Sequence, residues 1–364
     1  MHLRFAAEDE LGLCLLNCSS WNVLYFAACA FSLPEDPIAM AAVDSFPLLL
    51  REIGRSCSSY IETLALVGAF YIAKTCLIVL GNTYTLIRVH FIPRLVGKAD
   101  LVKLYGKWAI VTGCTSGVGK AYANELASCG VNVILISRNR EKLEAVAKEL
   151  AESHRIETAI VVADFSAGRE VYPSVAKALA GKEIGILVNN AGVFYDHLDG
   201  FTNLTEQHIW DLINVNIAAA NMMVHLVLPG MVERKKGAIV NVSSMSCIHP
   251  SPEMTAYSAS KAYLDHFSRA LYYEYAPKGI FVQSLIPGFI FTKMIKHVSL
   301  FTKESLFVPS AEEYAHQAIT TLGVAKRTTG YWPHTIMLMF GRYLPEWLWF
   351  WGIKIIHLSE KRRH

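Results

Sequence analysis

From residue 107 onward the chain alternates between short, continuously apolar runs and longer stretches in which apolar residues recur every three or four positions. The apolar runs at 107–112, 131–137, 158–165, 184–192, 238–244 and 280–287 predict strands. The stretches 138–153, 168–181, 205–235 and 256–276 predict helices, with Pro173 limiting the start of the second and Pro229 lying near the end of the third. Strands that are apolar throughout, separated by helices, imply a parallel sheet covered on both faces. The first strand runs into Gly113, Gly117 and Gly119 and then into a helical pattern. Together these features predict an α/β fold: a doubly wound parallel sheet of the nucleotide-binding (Rossmann) type, as a single catalytic domain behind a hydrophobic N-terminal segment.

That segment is residues 63–81, apolar except for Lys74. Nineteen such residues are long enough to cross a bilayer with Lys74 snorkelling or facing a partner, or to lie as an amphipathic helix on a membrane or on the catalytic domain. Arg88, His90, Arg94, Lys98, Lys103 and Lys107 follow it, which places the large C-terminal part on the cytosolic or matrix side. Pro93 and Gly97 mark a linker. The apolar run 21–33 is short for a span, and Glu8, Asp9 and Glu10 argue against a secretory or transit leader, so 1–39 reads as an extension, with a signal anchor as the lesser alternative. The aromatic stripe 343–351 and the basic end 361–364 suit a membrane interface or a helix packed on the sheet or a partner. The chain therefore divides into 1–39, a membrane-associating or packing segment at 40–100, a catalytic domain at 101–325 and a tail at 326–364.

Composition narrows the function classes. The chain has 364 residues, a net charge of +3 and 18% charged residues, with no basic cluster interleaved with aromatics, which argues against nucleic acid. A mean hydropathy of +0.31 is apolar for a soluble protein and points to lipid. The eight cysteines have no metal-ligand spacing, so no metal site and no disulfide framework is expected.

The chemistry gathers at strand ends. Gly113 suits the sharp turn, Gly117 the close approach of backbone to a ligand and Gly119 helix–strand packing; the helix N-terminus offers N–H groups to a diphosphate. Arg138 ends the second strand, where an acidic residue would grip a free ribose hydroxyl and a cation suits a 2′-phosphate; NADP(H) is thus favoured over NAD(H). Asp164 suits either the adenine amino group or a helix cap. Asn189, Asn190, Ala191 and Gly192 let backbone approach the cofactor. Tyr257 and Lys261, at i and i+4, share a helix face, and a nearby ammonium is expected to acidify the phenol toward use as a general acid. Ser244 can bond the same carbonyl oxygen, and Asn216 can break its helix ladder and hold a water relaying protons to Lys261.

TGCTSGVG (112–119), NNAG (189–192), NVN (214–216), Ser244, YSASK (257–261) and PGFIFT (287–292) resemble, in order and separation, the motif series of the short-chain dehydrogenase/reductase family over about residues 107–325. The resemblance implies Asn216, Ser244, Tyr257 and Lys261 as a catalytic tetrad, with Ser244 also facing substrate, and Gly113, Ser116, Gly117, Gly119, Arg138, Asp164, Asn190, Lys261 and Thr292 around the cofactor. Residues 293–310 would cover the substrate. VILISRN and VQSLIPG, with the hydrophobic N-terminal stretch, look like the membrane-attached branch that includes 17β-hydroxysteroid dehydrogenase type 3. A hydroxysteroid dehydrogenase-like group in that branch often has Phe for the catalytic tyrosine and is described as inactive and mitochondrial; 41–46, 86–95, 228–240, 258–271 and 326–332 look like it, yet Tyr257 is present here. The expectation is an NADP(H)-dependent oxidoreductase of a hydrophobic ketone or alcohol, of steroid or fatty acyl class. The alternative is a silent homologue that binds nucleotide or partners. The expected location is the mitochondrion, or alternatively the endoplasmic reticulum membrane. Homo-oligomerisation is compatible with the sequence.

Overall fold

The computed structural model describes residues 46–97, 99–195, 200–292 and 303–361. The expectations for 1–39, for 293–302 and for the last three residues lie outside these. The chain divides into two units, Met1–Cys76 and Leu77–His364. What is described of the first is one long helix, α1 (Phe46–His90), which continues into the second. It is much longer than 63–81 because its one proline, Pro47, lies in the first turn, where no intrahelical N–H bond is lost. The stretch Thr63–Leu95 is long and apolar enough to cross a membrane, and its most apolar window is wholly unburied.

The second unit continues with α2 (Ile92–Val96) and α3 (Leu101–Tyr105). The sheet then begins: β1 (Trp108–Thr112), α4 (Gly117–Ser128), β2 (Asn132–Ser137), α5 (Arg140–His154), β3 (Thr158–Val162), α6 (Tyr172–Leu179) and β4 (Ile184–Asn189). The second half is α7 (Glu206–Asp211), a π-helical segment Leu212–Ala218, α8 (Ala219–Arg234), β5 (Gly237–Val242), α9 (Thr255–Tyr275) and β6 (Ile280–Leu285). Then come α10 (Ala311–Ile319), β7 (Arg327–Thr328), α11 (Trp332–Gly341) and α12 (Glu346–Lys361).

All strand pairs are parallel, in the order β3-β2-β1-β4-β5-β6-β7. Successive strand residues feed opposite faces. Ala109, Val111, Val133, Leu135, Ile186, Val188 and Val240 pack under α4 and α10, while Ile110, Ile134, Ile136, Leu187, Ile239 and Val282 pack under α6 and α8. Both faces are buried, which is why each strand reads as an unbroken apolar run. The order reverses between β1 and β4, so a crevice opens beyond their carboxyl ends.

Three differences from the sequence pattern have local causes. The third strand stops at Val162 instead of 165, because Asp164 caps a following 3-10 helix, Phe165–Val171. The stretch expected as one helix over 205–235 carries a π segment around Asn216. The two-residue β7 is too short to leave a periodic signal; it pairs Arg327 with Ser284 and Thr328 with Leu285.

Candidate active site

The cradle at the crevice is built by backbone and two short side chains. Thr112, the last residue of β1, donates its hydroxyl to the Val188 carbonyl (3.3 Å) and accepts the N–H groups of Asn190 (3.0 Å) and Ala191 (2.9 Å). The Asn190 carboxamide donates to the carbonyls of Thr112 (3.0 Å) and Gly113 (3.2 Å). The turn of β1 and the exit of β4 are thereby one hydrogen-bonded unit. Gly113 has φ +65°, and a Cβ there would sit 2.9 Å from the Ala191 Cα. A Cβ on Gly119 would collide with the Asn190 amide and the Gly113 carbonyl. Both positions exclude any side chain.

Ser116 precedes α4 without capping it through its side chain. Ser116, Gly117, Phe291, Thr292, Ser310 and Ala311, together with the carboxylates Glu304 and Glu312, line a cavity of about 230 Å³ there. Thr292 packs over Gly117, with its methyl 3.3 Å from where a Cβ would be. The 12-residue helix, whose first N–H groups lack a side-chain cap, offers donors for a dinucleotide diphosphate, while Glu304 and Glu312 on the cavity wall oppose an anion. Arg138 lies exposed immediately after β2, with no hydrogen bond or ion pair recorded for it among the described residues. It stands where a ribose 2′-substituent lies in this architecture. Asp164 is spent as a cap, accepting from the N–H (3.1 Å) and hydroxyl (2.8 Å) of Ser166. Of its two expected roles, the structure thus displays the capping one.

Across the crevice, β5 and α9 present the second group. Ser244 follows β5, half-buried, and its Oγ accepts the Ser246 N–H (3.2 Å). Tyr257 and Lys261 share the inner face of α9, with the ammonium 5.7 Å from the phenol ring centroid. Lys261 is 4% exposed and donates to the Val242 carbonyl (2.9 Å). Burial pulls its ammonium down to about 8. Burial is also the largest effect on Tyr257 and pushes its phenol up to about 12, with a hydrogen bond to Ser244 pulling the other way. The expected acidification of the phenol is therefore reversed here. The ammonium lies over the ring side and is engaged by a backbone carbonyl, so desolvation outweighs it.

Asn216 is buried in the π segment, where its widened turn frees the carboxamide to face inward. It accepts the Val193 N–H (2.8 Å) and donates to the Val193 carbonyl and the Ser260 hydroxyl (both 3.1 Å). The helix ladder is indeed altered at this residue, but its side chain clamps the β4 exit loop instead of facing Lys261 through an open polar group. The space beside Gly192 joins the two, since a Cβ there would lie 3.4 Å from both Asn216 Oδ1 and Lys261 Nζ.

Two further residues position the site and left no motif. The Tyr195 hydroxyl accepts the N–H groups of Ala256 (3.0 Å) and Tyr257 (3.3 Å), capping α9, while Phe194 meets the Tyr257 ring edge-on at 4.6 Å. His334 Nδ1 accepts the Gly288 N–H (3.1 Å), and its Nε2 donates to the Phe307 carbonyl (3.1 Å). Burial pulls this imidazole to about 4, so it stays neutral. Their only signal in the sequence is aromatic or imidazole character at otherwise unremarkable positions.

Residues 107–302 match the short chain dehydrogenase family model. The chain belongs to the short-chain dehydrogenase/reductase family. Within that family it is 61% identical over 323 residues to the inactive hydroxysteroid dehydrogenase-like protein 1 of Pongo abelii, spanning 89% of this chain and 98% of that one. It is 41% identical over 300 residues to the very-long-chain 3-oxoacyl-CoA reductase of Rattus norvegicus, spanning 82% and 94%. Among solved structures, it resembles a short-chain dehydrogenase from Sphingobium yanoikuyae in complex with NADPH, at 30% identity and a TM-score of 0.54, covering 58% of this chain and 82% of that one.

Proposed function

We propose that this chain holds a nicotinamide nucleotide of the NADP(H) type between the β1 turn and α9, as a catalytically silent member of the hydroxysteroid dehydrogenase-like group. Kinship carries the silent half of the reading: a relative matched over nearly its whole length is named inactive. The geometry is compatible with it, because the Lys261 ammonium is engaged by the Val242 carbonyl. The open N-terminus of α4 and Arg138, which makes no hydrogen bond or ion pair among the described residues, support the nucleotide half, as does the NADPH in a family member of 30% identity. The exposed apolar stretch Thr63–Leu95 supports membrane association, and the resemblance to the group supports a mitochondrial one.

One observation favours a second reading. Asn216, Ser244, Tyr257 and Lys261 are all retained, and a relative at 41% identity is named a reductase of very-long-chain 3-oxoacyl-CoA. On this reading the substrate is a hydrophobic ketone of acyl or steroid class. The bound nucleotide supplies the hydride. Tyr257 gives its phenolic proton to the carbonyl oxygen, Ser244 donates a hydrogen bond to that oxygen, and Lys261 holds positive charge beside the phenolate that forms.

Titration of the full chain with NADPH, followed by NADPH oxidation over a panel of steroid and acyl ketones, separates the two. The proposal expects binding without turnover, unchanged by Tyr257→Phe. Turnover that falls by a factor of about 100 or more in Tyr257→Phe establishes the reductase instead. Absence of nucleotide binding overturns both.

A further inference from the structure

The last two helices leave an apolar face that none of the described residues of the second unit covers. On α12, Trp349 and Ile353 turn inward: the Trp349 indole reaches the Ser251 hydroxyl (3.4 Å) and lies 5.4 Å from the His249 ring, and Ile353 is 8% exposed. The opposite face carries Trp347, Trp351 and Ile355, at i, i+4 and i+8, which are 64%, 53% and 63% exposed. Phe340 and Tyr343, at the end of α11 and in the link that follows, extend the patch.

Three observations identify what covers it. The exposed residues are Trp, Tyr and Phe, the types that settle at the boundary between headgroups and acyl chains. Lys354 lies over the rings of Phe350 (5.8 Å) and Trp351 (5.4 Å), so its ammonium tops an aromatic surface as a snorkelling cation does. Over residues 337–355 the only acid is Glu346, against Arg342 and Lys354, which suits an anionic surface. The patch is also continuous with the apolar helix. The end of α1 is pinned to α11, with His90 Nε2 2.7 Å from the Thr335 hydroxyl and the rings of Phe91 and Trp332 6.2 Å apart. A bilayer entered by residues 77–90 therefore has its boundary at α11, four residues before α12.

We propose that the exposed face of α12, with Phe340 and Tyr343, is a second membrane contact that seats the dehydrogenase domain in the interface of an anionic lipid bilayer. The contact is independent of whether the site turns over.

Tryptophan quenching tests it on the full chain carrying Trp21→Phe and Trp332→Phe, because α1 has no tryptophan and, with those two replaced, entry of the N-terminal segments is silent in this measurement. The chain is reconstituted in vesicles of phosphatidylcholine and phosphatidylglycerol whose acyl chains are brominated near the headgroup. Strong quenching is expected, and Trp347→Phe with Trp351→Phe should abolish most of it while the protein remains with the vesicles. Trp349→Phe should leave the quenching in place. Unquenched emission from vesicle-bound protein overturns the proposal, as does quenching that survives the double substitution. So does a dimer in detergent that dissociates on the double substitution, since it would make the face an interface between copies of the chain.

Discussion

The two sides of the crevice are held in different ways. On the β1–β4 side, Thr112, Asn190 and two glycines form a closed set in which each group fixes another: the Thr112 hydroxyl takes two N–H groups, Asn190 bridges two carbonyls, and neither Gly113 nor Gly119 has room for a methyl. Its shape is settled by sterics and neutral hydrogen bonds. On the β5–α9 side, buried Lys261 and half-buried Tyr257 are titratable groups displaced in opposite directions, toward about 8 and about 12. The first side is a mould and the second is a charge state. Proteins that lose chemistry but keep their fold can retain the first unchanged while the second drifts.

This contrast is broken most severely at Gly119. Gly119→Ala drives a Cβ into the Asn190 amide and the Gly113 carbonyl, neither of which can move without opening the turn, and should cost about 3 kcal/mol or more of stability together with nucleotide binding. Thermal unfolding and NADPH titration read the two losses.

The second effect belongs to the charge state. Folded Lys261 titrates near 8, below the 10.5 of an unperturbed lysine. Between those values the unfolded chain binds more protons, so this group makes stability rise with pH across that window. Tyr257 acts oppositely, but only above its unperturbed value of 10.0. From about pH 8 to pH 10 the wild type should therefore gain on Lys261→Met by on the order of 2 kcal/mol. Parallel unfolding curves for the two proteins over that range would contradict the assignment.

A smaller effect sharpens the cofactor question. Arg138→Asp should weaken NADPH relative to NADH by roughly tenfold, about 1.4 kcal/mol. Equal changes for both nucleotides would remove the 2′-phosphate argument. The smallest effect is expected for Tyr195→Phe, which strips the cap from the Ala256 and Tyr257 N–H groups and should lower stability by about 1 kcal/mol, read as a shift in unfolding midpoint.

The mould was the readable half of the sequence. Glycines at 113, 117 and 119 between an apolar run and a helical pattern already imply close backbone approach, and strands buried on both faces announce themselves by composition. Asn216 and Pro173 also left positional marks, one at a π segment and one at a helix start. The charge state was not legible. Spacing places Tyr257 and Lys261 on one face, but desolvation, which decides their protonation, depends on Phe194 and on the engagement of Lys261 by a carbonyl from β5. Asp164 likewise offered two uses that only the Ser166 contact distinguishes. Tyr195 and His334 act through partners between 27 and 62 residues away, beyond the reach of any local pattern.

His334 has a mechanical consequence. Its two ring nitrogens hold Gly288, four residues before Thr292, and the Phe307 carbonyl, while its backbone belongs to α11, the same helix that receives the end of α1. A displacement of α11 therefore pulls on the Gly288 and Phe307 backbones together, and a neutral imidazole leaves that linkage insensitive to ordinary swings in acidity.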